Sequence, residues 1–144
     1  PAIYFIFIVL SKLLSSTKEM PLKKLFINFS YTLVPLGLFA WIAFSIAILL
    51  VNGSYLISVI SDPFGWGWDV FGTKHYAWKP FFSGFIPYIQ IVILLLGLLF
   101  SIRATQKISI RTFPDGKTAL RGSIPIVVLL TGFTILLSWL WVGW

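Results

Sequence analysis

The sequence predicts an all-α integral membrane bundle of about four transmembrane helices, the first one truncated and both termini outside. Three observations predict it. Of 144 residues, 58% are hydrophobic and 10% are charged, against roughly 45–50% and about 25% in soluble domains. The apolar residues gather into long blocks rather than a surface-helix rhythm. The net charge of +7 is concentrated in two short loops beside those blocks, where membrane orientation needs it. That placement argues against nucleic acid as a partner. The length allows a single transmembrane domain, residues 1–144.

Pro1 to Leu14 is apolar apart from Ser11 and Lys12. A crossing needs about 20 residues, so this segment reads as a truncated first span. It has no charged n-region and no small-residue cleavage site, which reads as a processed or longer precursor. Leu25 to Val51 is free of charge and ample for a tilted second span. Pro35 lies inside it and predicts a kink, because proline removes a backbone donor. Phe81 to Ile102, with Pro87 near its start, is the third span, and Ser123 to Trp144 is the fourth.

The loops set the orientation. Lys12, Lys18, Lys23 and Lys24 stand against Glu19, and Arg103, Lys107, Arg111, Lys117 and Arg121 stand against Asp115; these nine are most of the 11 basic residues. The positive-inside rule puts loops 15–24 and 103–121 in the cytoplasm of a prokaryotic cell membrane. Residues 52–80 then form an aromatic-rich extracytoplasmic loop. Trp66, Trp68, Trp78, Trp139, Trp141 and Trp144 all fall on that outer side, as indole's preference for the interface requires. Only Trp41 sits within a span.

Stripes of small and polar residues mark the faces that pack on protein. In the second span Gly37, Ala40, Ala43 and Ala47 fall within about 120°. In the third, Ser83, Gln90, Gly97 and Ser101 fall within roughly 40°. In the fourth, Ser123, Thr131, Thr134 and Ser138 fall within about 80°. These stripes read first as helix packing. Gln90 is the polar candidate for contact with a ligand or partner subunit.

Catalytic chemistry is thinly represented. There is no cysteine and one histidine, so the chain alone binds no iron–sulfur cluster or bis-histidine haem. The spans lack the ionisable groups that pumps and coupled transporters place there. Asp62, Asp69 and His75 are the nearest approach to a constellation, and on an outer loop such groups are mostly solvated or capping. Phe64-Gly65-Trp66-Gly67-Trp68 reads as an aromatic anchor in the outer headgroup layer, or as a docking surface for an extracytoplasmic redox subunit.

The run Phe29-Ser30-Tyr31-Thr32-Leu33-Val34-Pro35-Leu36-Gly37-Leu38 followed by Ala40 resembles a membrane helix of polyferredoxin-type membrane-bound 4Fe-4S proteins. Gln90 to Arg103, with Gly97 and Ser101-Ile102-Arg103, resembles the C-terminal membrane region of these quinol-dehydrogenase-type subunits, and Ile124-Pro125 fits the same pattern. The resemblance implies a membrane subunit passing electrons between quinol and a redox partner. The chain departs from the family in lacking the cysteine runs, so any clusters would lie upstream or on another polypeptide. Trp41 also stands where related proteins carry a His. The expected function is a non-catalytic membrane anchor or assembly subunit of a respiratory electron-transfer complex. Membrane lipid and other membrane subunits are the expected partners, with a quinone or lipid pocket at the surface. The alternative is a small transport or channel subunit, and a lipid-modifying enzyme comes third.

Overall fold

A computed structural model describes residues 1–15 and 20–142; Lys18, Glu19 and Trp144, used above for orientation, lie outside the described residues. The chain is all-helical. Its helices are α1 (Ala2–Ser15), α2 (Leu22–Ser30), α3 (Leu33–Ser61), α4 (Ile86–Thr112) and α5 (Gly116–Val142), with a short 3-10 turn at Ser83–Phe85. Three helical stretches among the described residues are long and apolar enough to cross a membrane: α2 with α3, the 3-10 turn with α4, and α5. With 14 residues, α1 is about 21 Å long and falls short of a bilayer core.

α4 is the central helix, packed between α3 and α5, and α5 packs in turn on α1. α2 runs back beside α1 and touches α4, closing a four-helix bundle over half the length of the molecule. The core lies in that half, where Ile8, Leu25, Phe29, Leu36, Leu94, Phe113, Ile126 and Leu130 are buried. The outward faces carry Leu, Ile, Val and Phe, as lipid contact requires.

The second span differs from its sequence boundaries at both ends. The helix breaks at Tyr31 and Thr32, separating α2 from α3. Pro35 is the cause, since its nitrogen cannot donate to the Tyr31 carbonyl four residues earlier. That carbonyl accepts instead from the Val34 N–H at 3.4 Å, and the Thr32 hydroxyl donates to the Phe29 carbonyl at 2.6 Å. At the far end α3 runs past Val51 to Ser61. Tyr55 to Ile60 carries no charge or proline, so nothing stops the helix before Asp62-Pro63. The outer loop therefore begins at Asp62, and its expected first part, from Asn52, is helical.

The break is mended by α4. The Leu36 N–H, next to Pro35, donates to the buried Ser101 Oγ at 2.9 Å. Gly97, one turn away on α4, brings the two backbones together. A Cβ there would lie 2.6 Å from Phe39 Cβ and 3.5 Å from Leu36 Cα. Pro125 lies inside α5 without breaking it, and three residues before it the Gly122 carbonyl accepts from the buried Ser11 hydroxyl of α1. Gly122 also makes room for the Phe113 ring, 2.6 Å from where its Cβ would be.

Ser101→Val should strand the Leu36 N–H and lower stability by about 1–3 kcal/mol. Gly97→Leu should do more harm, because Phe39 must move, whereas Ile93→Leu, on a half-buried face, should be close to neutral. Thermal unfolding of the purified variants in mild detergent checks the order. Equal midpoints for Ser101→Val and Ile93→Leu would show that the mended break carries no stability.

Candidate functional site

The two ends of the bundle differ in chemistry. Lys12, Lys23, Lys24, Arg103, Lys107, Arg111, Lys117 and Arg121 gather at one end, by the connectivity of the helices. The other end carries the folded loop from Asp62 to Phe82, and α3 supports it. Level with the start of α4, the Phe81 N–H donates to the Leu50 carbonyl at 3.0 Å. From there α3 continues from Val51 to Ser61, which at 1.5 Å per residue is about 16 Å beyond the ends of its neighbours.

The returning chain straps itself down this overhang. Val70 N–H donates to the Ser61 carbonyl at 3.2 Å, and the Thr73 hydroxyl to the Ile57 carbonyl at 2.9 Å. Ser58 donates to the Tyr76 carbonyl at 3.2 Å, and the Trp78 indole N–H to the Val51 carbonyl at 3.2 Å. The Lys79 N–H donates to Ser54 Oγ at 3.1 Å. Ser54, Ser58 and Ser61 thus form the face that receives the strap. Their spacing of four and three is a helical signal readable in the sequence, within a stretch whose place between the span and the aromatic run hid it.

Asp62 and Asp69 build the tip of the loop. The Asp62 carboxylate accepts from the N–H groups of Trp66 and Gly67, both at 3.0 Å, and lies 3.8 Å from Lys74 Nζ. Gly65 and Gly67 hold positive φ of 68° and 89°, which lets the chain curl around that carboxylate. Asp69 accepts from the Ser61 hydroxyl at 2.7 Å and the Lys74 N–H at 3.0 Å. His75 is exposed and joins neither carboxylate by a hydrogen bond. The three residues share a loop, and both carboxylates are engaged by the backbone of the loop itself.

What that scaffold presents is aromatic. Phe64 and Trp66 stack with centroids 4.9 Å apart, and Trp68 stands edge-on to Trp66 at 5.2 Å. All three are exposed, together with Val70 and Phe71. Along the same overhang Tyr55, Leu56, Val59 and Ile60 are also exposed.

The other candidates sit within the helices. Gln90 is 6% exposed, on the buried line of α4 with Leu94, Gly97 and Ser101. Its amide faces protein, and none of the hydrogen bonds that join the helices uses it. Ser83 leaves that line: it lies in the 3-10 turn ahead of Ile86-Pro87 and is exposed. On α3, Ala43 is buried, Ala40 and Ala47 are half-buried, and Gly37 is exposed. Gly37 borders a cleft of about 400 Å³ whose walls include Tyr4, Leu36, Leu129 and Phe133. On α5, Thr134 is buried and Thr131 and Ser138 are half-buried, along a groove of about 430 Å³ shared with Ile91 and Leu95. The hydroxyls of Thr131 and Thr134 donate to Val127 and Leu130 carbonyls of their own helix, each at 2.9 Å. Among the described residues no three His, Asp or Glu side chains converge as a metal site would require.

In comparisons with known proteins, no family model, no curated protein and no solved structure matches the chain.

The Ser61 hydroxyl and the Lys74 N–H, with smaller help from His75 and the Lys74 charge, hold the Asp69 carboxyl below its ordinary value of 3.8. A carboxyl whose folded pKa is depressed stabilises the fold above its unfolded pKa and loses that contribution as pH falls through the folded one. The loop tip should therefore stay ordered at neutral pH and loosen only below pH 3.8. Asp69→Asn should loosen it at pH 7. Tryptophan fluorescence anisotropy reads the change, and an unaltered signal in Asp69→Asn would show that the carboxylate does not hold the loop.

Proposed function

We propose that this chain is a non-catalytic membrane anchor and assembly subunit, holding a partner subunit at the extracytoplasmic face of a larger complex. The overhang of α3 carries this reading. The hydrocarbon core of a bilayer is about 30 Å thick and the headgroups add roughly 5–8 Å on each side. The charge-free part of α4 ends at Ile102, and about 30 Å of hydrocarbon measured from there reaches roughly 6 Å past Ile86. The aromatic tip, about 16 Å past Ile86, then stands about 10 Å above the hydrocarbon, at the outer edge of the headgroups.

Trp78, Trp139 and Trp141 lie at the level where an interfacial belt belongs. Phe64, Trp66 and Trp68 do not. An exposed aromatic surface held rigidly at that outer edge favours association with protein. With the basic end in the cytoplasm, as the positive-inside rule has it, that partner is extracytoplasmic. The resemblance of the helices to quinol-dehydrogenase-type subunits supports a respiratory electron-transfer complex as the larger assembly. The cleft beside Gly37 and Phe133 supplies an apolar wall for a quinone or a lipid tail.

A channel is the weaker reading, because the groove along Thr131 and Thr134 is walled chiefly by apolar side chains, among them Ile91, Leu95, Leu98 and Ile135, and the two hydroxyls donate to their own helix. A lipid-modifying enzyme is weaker still, with both outer carboxylates engaged by the loop.

Extraction in mild detergent should yield the chain together with larger, cofactor-bearing subunits. A variant with Phe64, Trp66 and Trp68 all changed to Ala should remain in the membrane and lose at least about 90% of that association, as expected when aromatic anchors dominate an interface. Elution of the native chain alone, or full association of the triple variant, would reject the proposal. Cysteines placed at Gly72 and Lys107 should be labelled from opposite faces of sealed vesicles, Lys107 only from the cytoplasmic one. Labelling from one common face would reject the topology.

A further inference from the structure

The basic end holds a hollow that neither the anchor reading nor the packing of the helices uses. It lies between α4 and α5, has a volume of about 250 Å³, and is bordered by Gln106, Ser109, Ile110, Gly116, Leu120 and Ser123. Ser109 is 2% exposed, and its Oγ is the one buried side-chain polar atom among the described residues without a hydrogen-bond partner. The other buried hydroxyls of this stretch are engaged: Thr105 donates to the Ser101 carbonyl at 2.8 Å, and Ser123 to the Leu120 carbonyl at 2.8 Å. A hydroxyl could return to its own helix in the same way. Ser109 does not, and it borders the hollow with a donor unused.

The opposite wall begins at the N-terminus of α5. Asp115 and Thr118 cap that end through the Ala119 N–H and the Thr118 hydroxyl, both bonded to the Asp115 carbonyl. The first N–H groups of a helix have no partner within it, and Gly116 brings them to the rim. The positive end of the helix dipole favours an anion there. Lys117 and Arg121 follow the bordering residues Gly116 and Leu120, Lys107 follows Gln106, and Arg103 stands one turn before it. Asp115 is the sole acid of this hairpin. Its depth in the membrane is also informative. Gln106 lies about 6 Å past Ile102, where the charge-free part of α4 ends, a depth within the headgroup layer, and Ile110 lies at its outer edge.

From these observations we propose that the hollow binds the phosphate headgroup of an anionic phospholipid. Ser109 and the α5 N-terminus would donate to the phosphate, Lys117 and Arg121 would neutralise it, and Leu120 would face the start of the acyl chains. Basic pockets between transmembrane helices are suited to such headgroups. The site rests on the membrane setting and the basic end, and not on the identity of any outer partner.

The test uses the full chain in nanodiscs of equimolar phosphatidylglycerol and phosphatidylcholine, with retained lipid read by native mass spectrometry. Phosphatidylglycerol should be retained over phosphatidylcholine by at least about tenfold, and Lys117→Gln with Arg121→Gln should bring the ratio towards one. Ser109→Ala should lower retention by about tenfold or more, the worth of one hydrogen bond to a charged acceptor. If Ser109→Ala fails to fold, the exposed Lys117 and Arg121 variant decides alone. Equal retention of the two lipids by the native chain, or unchanged retention in the folded variants, overturns the proposal. Occupancy by inorganic phosphate in pure phosphatidylcholine discs, undiminished by phosphatidylglycerol, assigns the site to free phosphate and overturns the lipid. A chain that selects phosphatidylglycerol but copurifies with no partner would sink the anchor reading and leave this site standing.

Discussion

The structure depends on one constraint: in hydrocarbon, every backbone N–H and C=O must find a partner inside the protein. Pro35 lies just past the break in the second span and Pro125 lies inside α5, and near each of them a serine from a neighbouring helix meets the backbone. Ser101 accepts the Leu36 N–H beside Pro35, and Ser11 donates to the Gly122 carbonyl three residues before Pro125. Those two contacts choose the neighbours. The first brings α4 against α3, where Gly97 permits the approach, and the second brings α1 against α5. α4 is central because it carries both the serine and the glycine that a broken α3 needs.

Unequal helix length is what carries the loop away from the rest of the bundle. Had α3 ended near Leu50, the loop aromatics would lie level with the start of α4. The extra turns instead carry exposed apolar residues past that level. Something must keep that part of the helix intact, and the strap does so by occupying the serine face from Ser54 to Ser61. The opposite face, with Tyr55, Leu56, Val59 and Ile60, stays uncovered.

Much of this was legible in the sequence because membrane segments advertise themselves by length and by lack of charge. The all-α class, the kink near Pro35, the helix stop at Asp62-Pro63 and the burial of Gln90, Gly97 and Ser101 follow from local rules. The overhang was not legible. A charge-free stretch such as Asn52 to Ser61 reads equally well as helix or as apolar loop, and only its register against α4 shows where the membrane part ends. In the Gly37, Ala40, Ala43 and Ala47 stripe, Ala43 is buried and Ala40 and Ala47 are half-buried, and only Gly37 is exposed. Small residues permit close approach without requiring it, and here the approach is made by Gly97 against Phe39, leaving Gly37 beside a cleft. Ser83 failed the helical count because Ile86-Pro87 starts the regular helix only after a 3-10 turn.

The roles of Asp62 and Asp69 show why a polar constellation in a loop is weak evidence of chemistry. Two carboxylates and a histidine within fourteen residues invite a catalytic reading, yet a loop raised past the rest of the bundle has its own need for acceptors. Its N–H groups at Trp66, Gly67 and Lys74 are tied to those carboxylates, and Ser61 links the second carboxylate to the end of α3. Asp69, engaged in this way, is a poor base, since hydrogen bonds to its charged form lower its proton affinity. Removing it to perform chemistry would release the aromatic tip that it organises. The acidic residues therefore act one step behind the surface: they fix the shape that Phe64, Trp66 and Trp68 present, and the fixed shape is what a partner would read.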